Sequence, residues 1–182
     1  MPTALLLIDI QNDYFPGGAM ELVGSVDAGA QAAKLLAEFR RSKLPIVHVQ
    51  HLSTRPGATF FLPGTPGAEI HACVSPQPGE PVIRKHFPNC FRETPLLDLL
   101  RERNITGLVV AGMMTHMCVD TTVRAAFDLG FDCQLAHDAC ATRALSFGGV
   151  TIAAGDVHHA FIASLNGLFA RARPAAEIAA GG

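Results

Sequence analysis

Residues 4–10 read Ala-Leu-Leu-Leu-Ile-Asp-Ile, and this stretch decides the fold class. A continuous apolar run of this length is typical of a central strand that is buried on both faces, as in parallel sheets. An acidic residue, Asp9, lies near its end, and a glycine-rich turn follows at residues 15–18. The stretch therefore predicts a first strand at Ala4–Ile10 with a charged side chain near its carboxyl end.

Segments of strand and helix character alternate along the rest of the chain. Apolar runs predict further strands at Ile46–Gln50, Val82–Lys85, Gly107–Gly112, Phe131–Ala136 and Phe169–Arg173. Helical spacing of apolar residues predicts helices at Asp27–Ser42, Pro95–Arg103, His116–Leu129 and Gly155–Leu165. Such alternation favours a parallel sheet covered on both faces, and the right-handed crossover rule narrows it to a doubly wound fold. We therefore predict an α/β three-layer sandwich around a mostly parallel six-stranded sheet.

The composition indicates one domain spanning residues 1–182. Of the 182 residues, 49% are apolar and only 16% are charged, which separates this chain from disordered proteins. One long segment, Leu52–Pro81, is dense in proline and glycine. Loops of that length in compact domains are usually functional or carry short elements of their own.

Net charge, hydropathy and cysteine use limit the partners and the compartment. A net charge of −2 offers no basic field for nucleic acid or an anionic membrane, and no apolar run approaches the roughly 20 residues that span a bilayer. The N-terminus lacks the basic region and the small-residue cleavage site of a secretory signal. Five cysteines without a Cys-x-x-Cys pair fit a reducing compartment. We expect a cytoplasmic protein whose partner is a small molecule.

Three reactive side chains fall at or just after predicted strand ends. Asp9 lies near the end of the first strand, Lys85 ends the third, and Cys118 follows the fourth. In doubly wound sheets, ligands bind at the carboxyl ends of strands. A carboxylate there could take a thiol proton, and a lysine near both groups would favour the thiolate. Taken singly, each has a structural alternative: a backbone-bonded acid, a solvated strand end, and a buried core thiol.

The segment Gly112–Val119, with the sequence GMMTHMCV, surrounds the thiol. Thr115 is expected to cap the following helix, which places Cys118 in its first turn. Backbone N–H groups and the helix dipole favour negative charge there, so we expect a lowered pKa for the thiol. The same N–H groups could hold the oxyanion that forms when a thiolate attacks a carbonyl.

These segments resemble the isochorismatase-like cysteine hydrolase family, which includes nicotinamidases, N-carbamoylsarcosine amidase and streptothricin hydrolase. The likeness is carried by Leu7–Phe15, Pro63–Ile70, Lys85 with Pro88–Phe91, Gly112–Val119, Arg124–Ala126 and Asp138–Thr142. The motifs follow the family's order and extend over roughly Leu5–Phe169. The form of Gly112–Val119 is most similar to that of the group containing streptothricin hydrolase.

The resemblance implies a catalytic triad of Asp9, Lys85 and Cys118 that uses no cofactor. It also implies a cis peptide between Met113 and Met114, with the backbone N–H groups of Met114 and Cys118 directed at the substrate, and amide hydrolysis through a thioester. It further suggests a homodimer or homotetramer in which the 52–81 loop reaches a neighbour. Two alternative functions remain: a vinyl-ether hydrolase with the same fold, and a non-catalytic scaffold protein. The intact triad argues against the scaffold protein.

The chain departs from the nicotinamidase branch at its metal site. Nicotinamidases bind a metal through an Asp-x-His motif after the second strand, and this chain has His48-Val49-Gln50-His51 there. We therefore expect no metal, with His48, His51 and His71 as polar loop or core residues.

Aromatic residues near the motifs are candidates for the pocket wall. We expect substrate contacts from Phe15, Phe60, Phe61, Phe87 and Phe147, although phenylalanine is more often a core residue. His116 lies two residues before Cys118, so on a helix the two side chains point apart. We therefore expect His116 to contact substrate rather than to act as the base.

Overall fold

A computed structural model describes residues 2–178. Its centre is a six-stranded sheet with the strand order β3-β2-β1-β4-β5-β8, and every neighbouring pair of strands is parallel. The strands of this sheet are β1 (Thr3–Ile8), β2 (Ile46–His51), β3 (Val82–Lys85), β4 (Gly107–Met113), β5 (Asp132–Ala141) and β8 (Arg171–Arg173). The helices are α1 (Ser25–Arg41), α2 (Leu96–Glu102), α3 (Asp120–Asp128) and α4 (Ala154–Leu165). The predicted doubly wound α/β sandwich is confirmed.

The two faces of the sheet carry separate apolar cores because successive side chains of a strand point to opposite sides. Leu5 and Leu7 of β1 pack with Phe39 of α1 on one face. Leu6 and Ile8 pack on the other face, with residues of α2, α3 and α4. All six residues of β1 are buried, which explains its unbroken apolar sequence.

Strand β1 is shorter than predicted, and the chain changes direction at its carboxyl end. It stops at Ile8 because Asp9 has φ 51°, which breaks the extended conformation. Strand order reverses between β1 and β4, where Ile8 pairs with Gly112. A Cβ on Gly112 would stand 2.1 Å from the Ile8 carbonyl oxygen, so only glycine permits this approach. The crevice at the carboxyl ends of β1 and β4 is the ligand-binding position of such sheets.

Other differences from the predicted elements lie in the last third of the chain. Strand β5 continues to Ala141 past a register shift against β4, and a separate antiparallel hairpin follows, formed by β6 (Leu145–Phe147) and β7 (Val150–Ile152). Neither strand of this hairpin was predicted, because three residues are too few to show an alternating pattern. Strand β8 is also shorter than the predicted 169–173.

The predicted helix at 116–129 divides into two parts. A single π-helical turn at Thr115–Val119 precedes α3, and Met114, without a side-chain cap, occupies the N-cap position. The prediction that Thr115 caps the helix is therefore wrong. Its hydroxyl instead lies 3.0 Å from Nδ1 of His158 on α4, a partner that sequence proximity could not reveal.

The remaining predicted elements match to within a few residues, and the 52–81 loop carries short 3₁₀ turns at Pro66–Ala68 and Ala72–Val74. Among residues 2–178, no helix combines the length and the apolar character needed to cross a membrane.

Candidate active site

Three strand ends bring Asp9, Lys85 and Cys118 together in the interior. Asp9 directly follows β1, Lys85 is the last residue of β3, and Cys118 lies in the π-helical turn after β4. The Lys85 Nζ atom is 2.7 Å from Asp9 Oδ2 and 3.2 Å from Cys118 Sγ. Asp9 and Lys85 have no solvent-exposed surface, and Cys118 is almost as fully buried. A charged pair in such a place is stable only because its members compensate one another.

The Lys85 ammonium is surrounded by acceptors. Besides the carboxylate and the sulfur, it reaches Nδ1 of His51 at 2.9 Å and donates to the Phe87 carbonyl oxygen at 3.1 Å. Strand register explains the histidine contact, since His51 of β2 pairs with Lys85 of β3. Burial by itself lowers the pKa of Lys85, but the charges of Asp9 and Cys118 outweigh it and raise that pKa above its ordinary value. The ammonium is therefore charged at neutral pH.

The Asp9 carboxylate faces the ammonium as an ion pair without well-aligned hydrogen bonds. Within residues 2–178, neither of its buried oxygens receives a directed hydrogen bond. Its backbone is held, since the Asp9 N–H donates to the Val49 carbonyl oxygen at 3.1 Å. A carboxylate with unused lone pairs beside a thiol is well suited to accept the thiol proton.

The resting state of the thiol differs from the prediction. Burial raises the pKa of Cys118 well above its ordinary value, and the negative charge of Asp9 raises it further, while Lys85 opposes both. The expectation of a lowered pKa, drawn from the helix terminus, is therefore wrong in direction, because burial dominates. The resting site therefore keeps the proton on the Cys118 sulfur, beside the Lys85 ammonium.

His51 stays neutral in this environment. Burial lowers its pKa to about 4, with Lys85 adding to the effect and Asp9 opposing it. The buried side chain of Gln11 fixes its backbone: the amide oxygen accepts from the His51 N–H at 2.8 Å, and the amide nitrogen donates to the His51 carbonyl at 2.9 Å. The same nitrogen donates to the Ala68 carbonyl at 2.7 Å, which ties the 52–81 loop to the site.

One group of potential metal ligands occurs here. A carboxylate oxygen of Asp9, a ring nitrogen of His51 and the Cys118 sulfur lie within 4.8 Å of one another. The Lys85 ammonium contacts all three groups at 2.7–3.2 Å, so a second cation among them would meet direct charge repulsion. The donor set does not fit a divalent metal while Lys85 is charged.

The other two histidines considered for a metal lie elsewhere. His48 is buried with Nε2 2.9 Å from a Glu80 carboxylate oxygen, and Glu80 also binds Arg40. His71 stacks on Phe15, with ring centroids 3.6 Å apart. Both are therefore held by structural partners away from Lys85.

A cavity of about 180 Å³ opens onto Cys118 and is mostly apolar. Of the aromatic residues predicted for its wall, Phe60 and Phe61 line it. The Asp13 carboxylate holds this part of the loop by accepting from the Phe61 N–H at 2.6 Å and the Ala19 N–H at 3.1 Å. The same cavity is also lined by Met114, whose peptide bond with the buried Met113 is cis.

Two other predicted wall residues contact protein instead. Phe15 is buried against His71 and lies in the core under α1. The ring of Phe87 is covered by the Arg92 guanidinium at 3.6 Å, and its contribution to the site is the carbonyl that accepts from Lys85. Residue type alone did not distinguish phenylalanine side chains of the core from those that line the cavity.

His116 and Phe147 also lie outside the cavity wall. Nδ1 of His116 is 2.5 Å from the Thr142 hydroxyl, and the ring meets Phe161 edge to face. Phe147 is 88% exposed on β6 of the hairpin. The sequence reasoning missed Tyr14 and His51 as wall residues. A signal for Tyr14 existed, since it is the single tyrosine of the chain and belongs to the Leu7–Phe15 motif.

Comparison with known proteins identifies the family of the chain. A family model described as the isochorismatase domain matches residues 3–176. This chain belongs to the isochorismatase family. This isochorismatase-family protein is 51% identical over 170 residues to the uncharacterized isochorismatase family protein YddQ of Bacillus subtilis. The match covers 93% of this chain and 94% of YddQ.

Two further relatives carry names that bear on chemistry. Streptothricin hydrolase of Streptomyces noursei is 39% identical over 140 residues, covering 76% of this isochorismatase-family chain and 54% of its own. A crystal structure of an isochorismatase hydrolase from Oleispira antarctica matches with a TM-score of 0.95 at 51% identity, covering 99% of this chain and 97% of the other. The family assignment and the fold are thus supported by both sequence and structure.

Proposed function

We propose that this protein is a cysteine hydrolase that cleaves an amide C–N bond of a small molecule. Cys118 is the nucleophile, Asp9 the general base and acid, and Lys85 the electrostatic partner of both. One observation carries the proposal: the buried Lys85 ammonium lies between the carboxylate at 2.7 Å and the sulfur at 3.2 Å. Folding alone does not require an acid, a lysine and a thiol in mutual contact, and isolating them from water is costly unless they act together.

The reaction begins with the proton on sulfur, so a base must remove it as the sulfur attacks. Asp9 accepts this proton through an oxygen without a directed hydrogen bond, and the thiolate forms beside the Lys85 ammonium. The sulfur attacks the carbonyl carbon, and the oxyanion is held by the backbone N–H groups of Met114 and Cys118, both at the cavity.

The leaving group then departs as the C–N bond breaks. Asp9 returns its proton to the leaving nitrogen, so ammonia or an amine is released and a thioester on Cys118 remains. Water enters, loses a proton to Asp9 and attacks the thioester carbon. The carboxylic acid leaves, and the proton on Asp9 returns to sulfur, which restores the starting state.

The relatives support amide chemistry over ether cleavage. They include a nicotinamidase of Escherichia coli, a ureidoacrylate amidohydrolase of Variovorax paradoxus and, among structures, an N-carbamoylsarcosine amidase of Thermoplasma acidophilum. Each of these names describes a C–N bond next to a carbonyl. The mostly apolar cavity of about 180 Å³ fits a small substrate of this kind.

The substitution Asp9→Asn tests the proposal because it moves two measurements in opposite directions. Ammonia release from nicotinamide, ureidoacrylate or N-carbamoylsarcosine, whichever the wild type hydrolyses, should fall by about 10²–10⁴-fold because the base is lost. Alkylation of Cys118 by iodoacetamide, followed by peptide mapping, should become faster at a given pH. The reason is that the Asp9 charge, which raises the thiol pKa, is gone.

Cys73 is an internal reference in the same sample. It is half-buried, lies in another part of the chain and contacts His71, so its labelling should not change. Slower or unchanged labelling of Cys118 in Asp9→Asn would contradict the assigned proton positions. A wild type that releases ammonia from no amide would contradict the reaction itself.

A further inference from the structure

The ring of His51 is held in one tautomer by its neighbour. Nδ1 lies 2.9 Å from the Lys85 Nζ atom, and an ammonium can only donate, so Nδ1 must be the acceptor. A neutral imidazole that accepts at Nδ1 carries its proton on Nε2. The ring is neutral because burial lowers its pKa to about 4. Nε2 is therefore an N–H donor throughout the neutral pH range.

The position of this donor is also fixed. Gln11, which is fully buried, holds the His51 backbone through both its N–H and its carbonyl. The Phe61 ring lies against the imidazole, with centroids 5.9 Å apart. A ring anchored at its backbone and at Nδ1 keeps Nε2 in one direction, as a binding group requires.

The Nε2–H group is a polar feature of the cavity wall near the thiol. Within residues 2–178 it makes no hydrogen bond, yet it is not enclosed, and the side chain remains 16% exposed where it lines the cavity. Phe60, Phe61 and Met114 supply the apolar part of this wall, whose surface is mostly apolar. A donor in such surroundings gains most from an acceptor supplied by a ligand.

We infer that His51 donates this N–H to the substrate and selects amides with an oxygen or nitrogen acceptor near the scissile carbonyl. The inference rests on the proposed function, since it concerns the same cavity. A ring nitrogen of His51 and the Cys118 sulfur lie within 4.8 Å of each other. His51 and Cys118 also line the same cavity, so an acceptor bound at Nε2 and the carbon that the sulfur attacks belong to one substrate molecule. His51 is thus a specificity-determining residue, and simple alkyl amides are poor substrates.

Two substitutions distinguish the role of the Nδ1 acceptor from that of the Nε2 donor. In His51→Asn the side-chain amide lies where Nδ1 was, so Lys85 keeps an acceptor and the cavity loses its donor. In His51→Gln the amide reaches the position of Nε2, so the donor is kept. The probes are iodoacetamide, which has a carbonyl oxygen two bonds from the carbon attacked, and 1-iodopropane, which has a similar size and no acceptor.

The quantity measured is the ratio of the two alkylation rates at Cys118, divided by the same ratio at Cys73. A change in thiol ionisation affects both reagents equally and cancels. We expect His51→Asn to lower the ratio by about 5–10-fold, the effect of one hydrogen bond, and His51→Gln to retain most of it. Imidazole ¹⁵N spectra should show the proton on Nε2 of His51 in the wild type from pH 6 to 8.

An equal ratio in the wild type and His51→Asn would overturn the inference, and so would an equal loss in both variants. Neither reagent requires amide turnover. Failure of the proposed function would appear instead as an absence of ammonia release, with this ratio unaffected. The two conclusions are thereby tested separately.

Discussion

Removal of one member of the Asp9–Lys85 pair should destabilise the protein far more than removal of both. At 2.7 Å the gross attraction of the two charges is about 6 kcal/mol with an effective dielectric constant of about 20, and it offsets their desolvation. Lys85→Met leaves a buried carboxylate without its cation, and we expect a loss of about 4 kcal/mol in the free energy of unfolding. Asp9→Asn should lose only about 2 kcal/mol, because Cys118 can ionise beside Lys85 and replace the charge.

The double variant Asp9→Asn/Lys85→Met leaves no buried charge at this position and should lose about 2 kcal/mol or less. The measurement is urea unfolding at pH 7 under reducing conditions, with the free energy extrapolated linearly to water. The coupling between the two sites should then be about 4 kcal/mol. A matched control is the exposed pair of Asp132 and Arg171, with N···O 2.8 Å, whose coupling should stay below about 1 kcal/mol because solvent screens it. If the losses at Asp9 and Lys85 simply add, the two charges are not paired in the interior and the site is wrongly described.

Three further predictions concern the surroundings of the site. Gly112→Ala should lower the free energy of unfolding by about 3 kcal/mol and disturb the end of β4, because its Cβ would stand 2.1 Å from a β1 carbonyl oxygen. The control Gly155→Ala should be neutral, because no atom lies within 4 Å of the added Cβ, and equal effects of the two substitutions would refute the close approach. Glu80 has its pKa lowered to about 2 from 4.5, chiefly by hydrogen bonds from Arg40, so its stabilising effect is complete above pH 4.5 and is lost as the pH falls toward 2. Glu80→Gln should therefore reduce the change in the free energy of unfolding over that pH range by about 1–2 kcal/mol. An unchanged acid transition would contradict the lowered pKa of Glu80. Gln11→Leu removes three hydrogen bonds to backbone groups and should lose about 3 kcal/mol in urea unfolding; a loss under about 1 kcal/mol would show that water replaces them.

The sequence alone determined the fold class because the relevant signals are local. The apolar run of β1 needs both faces buried, and its alternation with amphipathic helices leaves few topologies. The same local pattern located Asp9, Lys85 and Cys118 at strand ends. A parallel sheet brings such ends to one edge, so candidates far apart in sequence could be named together.

The tertiary structure decided what depends on contacts between distant segments. Sequence position suggested that the helix terminus would lower the Cys118 pKa, but burial by other elements raises it. Thr115 has the residue type of a cap, yet it is paired with His158 across the fold. Phenylalanine side chains look alike in sequence, and only packing shows that Phe61 lines the cavity while Phe15 is in the core.

His51 shows the same limit most clearly. The sequence places it at the end of a strand, where a histidine could bind a metal, bond to the backbone or be solvated. Its neutral state follows from burial, and its tautomer and the direction of Nε2 follow from the Lys85 ammonium on the neighbouring strand and from the Gln11 amide. Chain-local patterns determine which elements form, whereas the charge and hydrogen-bonding state of a side chain depends on the burial and on the partners that only the assembled fold supplies.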